Sequence, residues 1–261
     1  MRTDNGLSVE VVDRVAHVTL DRPERLNALS TGLIADIVAA FDGFTADDDV
    51  WAVLLTGSGE RAFSAGVDLK EVNQADGAAR PMTMPMAGTT RNVFETVLEC
   101  AKPVVAAING VAAGGGCEIA LACDVRLAAD HARIGLPEAK RGMGANFGCQ
   151  LLPRIVPRGI AYELLYLGEL ISAQEAHRWG LVNRVVPGDR LAEEAREFCR
   201  RLVANAPLTV RRYKAMIGKG AELPLSAALR LSVGPNPYLS EDRAEGVRAF
   251  LEKRDPVWRA R

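Results

Sequence analysis

The 261-residue sequence predicts an α/β fold, built as a coiled stack of similar units and followed by an all-helical C-terminal region. Two short, nearly all-apolar segments, VWAVLLTG (50–57) and KPVVAAING (102–110), have the composition of strands that are buried on both faces. A glycine-containing loop that leads towards a helix follows each of them, with about fifty residues between the two strands. This repetition favours a stack of units over an open Rossmann sheet.

The first seventy residues contain a predicted hairpin, a helix and a loop. SVEVVD (8–13) and VAHVTLD (15–21) alternate in polarity like two paired strands. Ser30 is the predicted N-cap of a helix that ends near three consecutive aspartates, and its apolar residues are Leu33, Ile34, Ile37, Val38, Phe41 and Phe44. GERAFSAGVDL (59–69) is predicted to be a loop. Residues 72–92 show no periodicity and predict a mobile, irregular segment.

After the second buried strand, a short helix, two short strands and then four helices are expected. EIALAC (118–123) predicts the short helix, DVRLAAD (124–130) a third strand, and ARIGLPEA (132–139) a strand that leads into a Pro-Glu turn. Prolines and a GPNP break separate the four helical segments, which are 189–205, 207–219, 224–233 and 240–254. The predicted organisation is a mixed core over residues 1–190 and a helical region over residues 191–261.

Composition excludes several classes of function. Lysine and arginine number 32 against 33 acids, a net charge of -1 that supports neither nucleic-acid nor membrane-surface binding. The sequence has no apolar run of the roughly 18 residues that a membrane span needs, and MRTDNGLSVEVVD does not resemble a signal peptide. We therefore expect a cytoplasmic protein. The five cysteines and three histidines have no metal-ligand spacing, so we expect free thiols and no metal site.

Three alternative functions deserve a test against the sequence. AFSAG (62–66) resembles a nucleophile elbow, but a serine hydrolase would need His177 as the partner of Ser64, and His177 lies in an ordinary amphipathic segment. Neither glycine loop fits G-x-G-x-x-G, and the chain has no G-K-[ST], which argues against a nucleotide site. A binding protein without catalysis agrees with the composition but explains none of the carboxylate placement described next.

The run GGG (114–116) precedes an apolar helix that carries Glu118 in its first turn. A tight turn into a helix, with an acid at the positive helix end, would explain this stretch alone. Alternatively, backbone N–H groups of the two glycine loops together bind an oxygen that becomes negative during a reaction. Ala65 and Gly115 are then the donors, since small residues let a carbonyl approach the backbone. Glu118 and Glu138, near one oxyanion site, would divide acid and base roles.

Four segments, distributed from residue 63 to residue 258, resemble the crotonase family, the enoyl-CoA hydratase/isomerase superfamily: FSAGVDL (63–69), the block from KPVVAAING to EAKRG (102–142), LISAQEAHRWGLVNRVVP (170–187) and EKRDPVW (252–258). The resemblance implies a spiral of β-β-α turns over residues 1–190 and a helical trimerisation region over residues 191–261. It also implies a homotrimer or a homohexamer made of two trimers. The implied substrate is an acyl-CoA thioester, with no metal or redox cofactor, since coenzyme A enters as part of the substrate.

The resemblance also assigns roles to residues. It implies that the N–H groups of Ala65 and Gly115 stabilise the enolate, and that the CoA-contacting stretch is Ala65, Gly66, Val67 and Asp68. Hydratases of the family use two glutamates, which match Glu118 and Glu138, with Glu118 holding the water and Glu138 carrying the C2 proton. The implied reaction is the reversible hydration of a 2-enoyl-CoA to a 3-hydroxyacyl-CoA.

Other reactions of the family remain alternatives. The ending SEDRAEGVRAFLEKRDPVW (240–258) also resembles carnitinyl-CoA dehydratases, which use the same two acids, and isomerases and hydrolases share the fold. The loop GMGANFGCQLLPR (142–154) departs from the family pattern, because no proline precedes Leu151. This loop borders the acyl pocket in the family, so the resemblance does not extend to the acyl specificity.

Overall fold

The computed structural model describes residues 1–77 and 91–261, with residues 74–77 described by their backbone alone. Within these residues, ten strands lie in two sheets. They are β1 (Leu7–Val12), β2 (Val15–Leu20), β3 (Ala52–Gly57), β4 (Ala62–Ser64), β5 (Val104–Ile108), β6 (Val111–Ala113), β7 (Val125–Ala129), β8 (Arg133–Gly135), β9 (Ile171–Ser172) and β10 (Arg184–Val186).

The helices in the described part of the chain cover the sheets and form the C-terminal region. They are α1 (Thr31–Ala46), α2 (Leu69–Gly77), α3 (Val93–Glu99), α4 (Gly115–Ala122), α5 (Gly148–Leu151), α6 (Arg158–Leu167), α7 (Ala173–Arg178), α8 (Leu191–Val203), α9 (Pro207–Gly220), α10 (Leu225–Ala228) and α11 (Glu241–Glu252). Short 3₁₀ turns connect several of them, and the turn over Pro137–Arg141 carries one of the predicted site residues.

The two sheets are built by alternation along the chain. The larger sheet has the order β1-β2-β3-β5-β7-β10 and the smaller one β4-β6-β8-β9. Strand β3 of the larger sheet is followed by β4 of the smaller one, β5 by β6, and β7 by β8. The repeated strands are parallel to their equivalents in the preceding unit, as β3 is to β5 and β4 to β6. Each unit therefore adds one strand to each sheet, which confirms the predicted spiral.

Several predicted elements are confirmed. β1 and β2 form the antiparallel hairpin, in which Val12 pairs with Val15. The Ser30 side chain accepts a hydrogen bond from the Leu33 N–H and caps α1. The strands β3 and β5 are buried along almost their whole length, as their apolar composition predicts. In the C-terminal region all four helices are present, although α10 is much shorter than the predicted 224–233.

Two predicted irregular segments contain regular structure. The predicted loop 59–69 includes β4, whose three residues are fully buried and pair with β6. The prediction for 72–92 is wrong at both ends, where α2 runs to Gly77 and Asn92 caps α3 through a reciprocal capping box with Glu95. A polar helix such as α2 lacks an apolar period, and a contact from Glu71 to Thr31 in α1 holds its first turn. The rest of that prediction, 78–90, lies outside the described residues.

Helix α8 packs on the larger sheet, whereas the later helices contribute few residues to the core. Leu191, Ala195 and Cys199 of α8 are buried against β3, β5 and β7. Farther on, several large apolar side chains are exposed. Within residues 1–77 and 91–261, no helix is both long enough and apolar enough to cross a membrane.

Replacing Gly116 by alanine should destabilise the fold. A Cβ atom built on Gly116 would lie 2.1 Å from the Ser64 carbonyl oxygen, so the β4 loop and α4 would have to separate. We expect the free energy of unfolding to fall by about 1–3 kcal/mol in urea titrations, the range for overpacking. Gly43, within α1, is the matched control. Apart from the backbone of α1 itself, no described atom lies within 4 Å of a Cβ at that position, and Gly43→Ala should raise stability by about 0.5–1 kcal/mol. Equal effects of the two substitutions would contradict the close approach.

Candidate active site

The two glycine loops come together where β4 ends and α4 begins. A Cβ atom on Gly66 would lie 2.7 Å from the Ala113 carbonyl oxygen and 2.9 Å from the Gly115 nitrogen. Gly66 also has a φ of +88°, which L-residues rarely adopt. Together with the contact of Gly116 with Ser64, this shows that the glycines are needed for direct contact between the two backbones.

A third segment, residues 22–29, fixes the position of the 65–68 loop. The Leu29 N–H donates to the Gly66 carbonyl at 2.8 Å, and the Asp68 N–H donates to the Leu29 carbonyl at 3.0 Å. The Asp68 carboxylate pairs with the Arg22 guanidinium at 3.3 Å, and both side chains are mostly buried. Asp68, predicted to contact CoA, thus has a bond within the protein that holds the loop.

The structure contradicts the predicted role of the Ala65 N–H. This group donates to the Leu26 carbonyl at 2.9 Å, so it is not available to a ligand. The flanking residues of Val67 make the bonds to Leu29, and no acceptor in the described part of the chain faces the Val67 N–H itself. The side chain of Val67 lies beside Gly115, with Cγ2 3.5 Å from a Cβ built there. Val67, two residues beyond Ala65, therefore offers the free donor of this loop.

Gly115 supplies a second free N–H. It is the first residue of α4, where backbone N–H groups have no partner within the helix. Gly114 precedes it with φ +56° and makes no side-chain cap. The helix macrodipole adds a partial positive charge at this end. Val67 and Gly115 thus place two N–H donors side by side at the positive end of a buried helix, an arrangement suited to an oxygen that carries negative charge.

Glu118 lies in the first turn of α4 and is 5% exposed. Its Oε1 accepts a hydrogen bond from the Gly148 N–H at 2.8 Å. Burial is the main cause that raises the pKa of Glu118 to about 7, and the charge of Glu138 adds to it. The backbone N–H groups of Gly148 and Phe147 act in the opposite direction. This carboxyl can therefore exchange a proton near neutral pH.

Glu138 approaches the same helix start from the 3₁₀ turn over Pro137–Arg141. Its Oε1 lies 3.0 Å from a Cβ built on Gly114, and the residue is 9% exposed. Burial raises the pKa of Glu138 above its ordinary value, and a hydrogen bond to its own backbone and the charge of Arg141 offset only part of this rise. Its other oxygen, Oε2, is buried and has no hydrogen-bond partner among the described residues. A buried, unpartnered carboxyl oxygen beside Glu118 is a place for a water molecule or a substrate proton.

The serine-hydrolase alternative finds no support in the geometry. The Ser64 Oγ accepts a hydrogen bond from the Gly66 N–H at 3.2 Å, within its own loop. His177 lies on α7, where its Nδ1 contacts the Val182 carbonyl oxygen at 2.9 Å. Across the described residues, no cluster of three or more His, Cys, Asp or Glu side chains has the geometry of a metal site.

Sequence reasoning missed the Val67 donor, the Phe147–Gly148 backbone that binds Glu118, and the Arg22–Asp68 pair. The Val67 donor depends on the register of the short parallel bridge between Leu29 and Val67, and no local sequence pattern shows this register. The second and third join residues that are 30 and 46 positions apart. Both are results of the fold and leave no local pattern.

Comparison with known proteins connects this geometry to a family. The profile of the enoyl-CoA hydratase/isomerase family matches residues 10–261. An (E)-benzylidenesuccinyl-CoA hydratase of Thauera aromatica is 40% identical over 259 residues, 97% of this chain and 98% of that protein. A short-chain-enoyl-CoA hydratase of Clostridium acetobutylicum is 38% identical, with 96% of each chain covered. A carnitinyl-CoA dehydratase of Salmonella heidelberg is 40% identical, with 95% of each covered.

Solved structures agree with the sequence relatives. The crystal structure of an enoyl-CoA hydratase from Bacillus anthracis superposes with a TM-score of 0.86 at 35% identity, covering 98% of this chain and all of that one. At this identity and coverage the whole spiral and its helical region are shared.

Glu118 should make stability depend on pH. Its pKa in the folded protein, about 7, exceeds the ordinary 4.5, so the folded state binds this proton more tightly than the unfolded state. The stabilisation is complete below 4.5 and is lost as the pH rises through about 7. Glu118→Gln lacks this titration. Between about pH 4 and pH 8, wild type should therefore lose about 3 kcal/mol relative to the variant in urea unfolding, at 1.36 kcal/mol per pKa unit.

The control for this measurement is Glu175→Gln. Hydrogen bonds from Ser172 lower the pKa of Glu175, so its stabilisation is present above 4.5 and is lost at lower pH, the opposite direction. A constant difference between wild type and Glu118→Gln across the pH range would show that Glu118 titrates like an exposed acid.

Proposed function

Because this chain belongs to the enoyl-CoA hydratase/isomerase family, we propose that it catalyses the reversible addition of water to a 2-enoyl-CoA, giving a 3-hydroxyacyl-CoA. The observation that carries this proposal is the pair of buried carboxyls, Glu118 and Glu138, beside two free backbone N–H groups. Isomerisation needs one group that moves a proton, whereas hydration needs one for water and one for carbon. Two acids with raised pKa values supply both.

The thioester carbonyl oxygen binds to the N–H groups of Val67 and Gly115. When a nucleophile adds to C3, negative charge moves onto this oxygen, and donors placed in advance stabilise it without reorganisation. The open helix start of α4 adds its dipole in the same direction. The glycines of both loops let the thioester lie directly against the backbone.

Water is held between the two carboxyls. Glu118, as the carboxylate, accepts a proton from the water molecule while the oxygen of the water forms a bond to C3. Glu138, as the acid, gives its proton to C2. The product gains one H and one OH, and the proton on Glu118 then returns to Glu138 through solvent. Burial raises the pKa of both acids, and the charge of Glu138 raises the pKa of Glu118 further, so the pair can hold one proton for C2 near neutral pH.

Dehydration of a carnitinyl-CoA is the second candidate, favoured by the C-terminal sequence and by curated relatives that are 39–40% identical. The same acids acting in reverse would remove water. A kinetic assay over crotonyl-CoA, longer 2-enoyl-CoAs and crotonobetainyl-CoA decides between them. A kcat/KM for crotonobetainyl-CoA that exceeds every simple enoyl-CoA would overturn the first assignment.

We extend the proposal to assembly, cofactors and location. Five apolar side chains of the C-terminal region are more than half exposed and fit a homotrimer, or a hexamer of two trimers: Leu225, Leu229, Val247, Phe250 and Leu251. The proposed chemistry uses no metal or redox group, and coenzyme A enters with the substrate. All five cysteines are free thiols, which fits a reducing cytoplasm.

Gly115→Pro should remove one oxyanion donor without disturbing the helix. Proline lacks the N–H but is well tolerated at the first position of a helix, where Gly115 lies. We expect kcat for crotonyl-CoA to fall by about 10²–10³, the effect of losing one such donor. Gly115→Ala is the matched control, since a Cβ there makes only ordinary contacts of 3.4–3.5 Å and the N–H stays. Similar kcat values for the two variants would remove Gly115 from the oxyanion site.

Glu118 and Glu138 should both be required for hydration but should differ in proton exchange. Glu118→Gln and Glu138→Gln each remove general acid–base assistance, and we expect losses in kcat of about 10²–10⁴. The double variant should lose little more than either single one, because both groups act on one transition state. Exchange of the C2 hydrogen with deuterated solvent, followed by NMR, should survive only in Glu118→Gln. Two active single variants would end the hydratase assignment.

A further inference from the structure

A pair of phenylalanine rings lies beside the catalytic groups and has no part in the proposed chemistry. Phe94 is in the first turn of α3, and Phe147 directly precedes α5. Their ring centroids are 5.4 Å apart with an angle of 33° between the planes. Both residues are buried, at 9% and 5% exposure. The two segments are far apart in the sequence, and the rings bring them into contact.

Each of the two phenylalanines lies next to a group that takes part in the proposed reaction. The Cζ atom of Phe94 lies 3.5 Å from a Cβ built on Gly115, the proposed donor to the thioester oxygen. Phe147 belongs to the backbone that binds the Glu118 carboxylate. The aromatic pair therefore extends from the oxyanion position to the carboxyl that faces C3.

This placement determines where the acyl chain can go. Glu118 is three residues beyond Gly115, which is about 4.5 Å along a helix at 1.5 Å per residue, and the chain from the thioester carbon to C3 runs over that turn. The opposite side, at Gly114, is occupied by Glu138. A substituent on C3 that points away from Glu138 and towards α3 meets the two rings, whose centroids are 5.4 Å apart, too close for an acyl chain to pass between them.

We propose that the Phe94–Phe147 pair closes the acyl end of the site and restricts the enzyme to short-chain 2-enoyl thioesters. This inference rests on the proposed function, since it takes the thioester oxygen to lie at Gly115. Phe94 is the residue of the pair that determines the specificity. It can be shortened without changing the backbone that holds Glu118, whereas Phe147 is next to the Gly148 N–H that binds this carboxylate.

The test measures kcat/KM for crotonyl-CoA, 2-decenoyl-CoA and cinnamoyl-CoA with wild type, Phe94→Leu and Phe94→Ala. Wild type should prefer crotonyl-CoA. We expect the ratio of 2-decenoyl-CoA to crotonyl-CoA to rise about tenfold or more in Phe94→Ala, with a smaller rise in Phe94→Leu, since a few methylenes in a pocket are worth 10–200-fold. Phe44→Leu is the matched control, because Phe44 forms the other buried phenylalanine pair, with Phe41 in α1. Its ratio should equal that of wild type.

Two results would overturn the proposal. One is a ratio that stays the same in both Phe94 variants and in Phe44→Leu. The other is a wild-type preference for cinnamoyl-CoA that Phe94→Ala abolishes, since the rings would then be a stacking surface for an aryl substrate. Thermal unfolding by circular dichroism checks that each variant is folded, and Phe94→Leu keeps the experiment informative if Phe94→Ala unfolds.

The failure of the proposed function would look different. If wild type hydrates none of the three thioesters, the hydratase assignment fails. The closing of the acyl end by the Phe94–Phe147 pair is then tested by calorimetric binding of butanoyl-CoA and decanoyl-CoA. We expect the affinity for decanoyl-CoA to increase about tenfold in Phe94→Ala and the affinity for butanoyl-CoA to stay within about twofold, by the same methylene scale. Equal changes in affinity for the two ligands would overturn the proposal that the rings close the acyl end.

Discussion

The direct contact of two backbone segments, at Ser64–Gly66 and Gly114–Gly116, is the constraint on which the rest of the site depends. The Cβ atoms that glycine lacks would lie 2.1 Å from a carbonyl at Gly116 and 2.7 Å from one at Gly66. Only at this separation can an N–H from each segment reach the same oxygen. The spiral provides the contact, because β4 and β6 are parallel neighbours in the smaller sheet and each leads into one of the segments.

Helix α4 brings this contact together with a buried acid, and both of its ends need polar partners. At its start the free N–H groups favour negative charge, which offsets part of the cost of burying Glu118. At its end the buried guanidinium of Arg126 donates to the carbonyls of Ala120 and Cys123, and also to Leu181 beyond the helix. Arg126 thus provides donors to carbonyls at the end of a helix whose eight residues are all buried, while the Gly115 N–H at its start stays open for a ligand.

The sequence predicts those features that depend on local patterns. The buried strands β3 and β5, the Ser30 cap and the glycine run before Glu118 each have a signature within ten residues. Features that depend on how distant strands and loops pair have no such local signature. The motif predicts Ala65 as a donor to the ligand, but the Ala65 N–H donates to the Leu26 carbonyl. The short parallel bridge between Leu29 and Val67 leaves the N–H of Val67 free instead. Likewise, the polar helix α2 has no apolar period, and β4 is too short to show one.

The site divides its tasks among groups of different kinds, and this explains how one fold supports several reactions. In the proposed reaction backbone N–H groups bind the thioester oxygen, and a side-chain substitution elsewhere leaves these groups in place. In the same proposal the carboxyls of Glu118 and Glu138 decide what happens at C2 and C3, because hydration requires both and proton transfer at C2 requires one. The rings of Phe94 and Phe147 have no part in the proposed chemistry, so their proposed effect is on which acyl group enters. Since the acids act on any 2-enoyl thioester that reaches them, the selection of substrate must come from apolar packing at the acyl end, where each added methylene either finds space or displaces a buried ring.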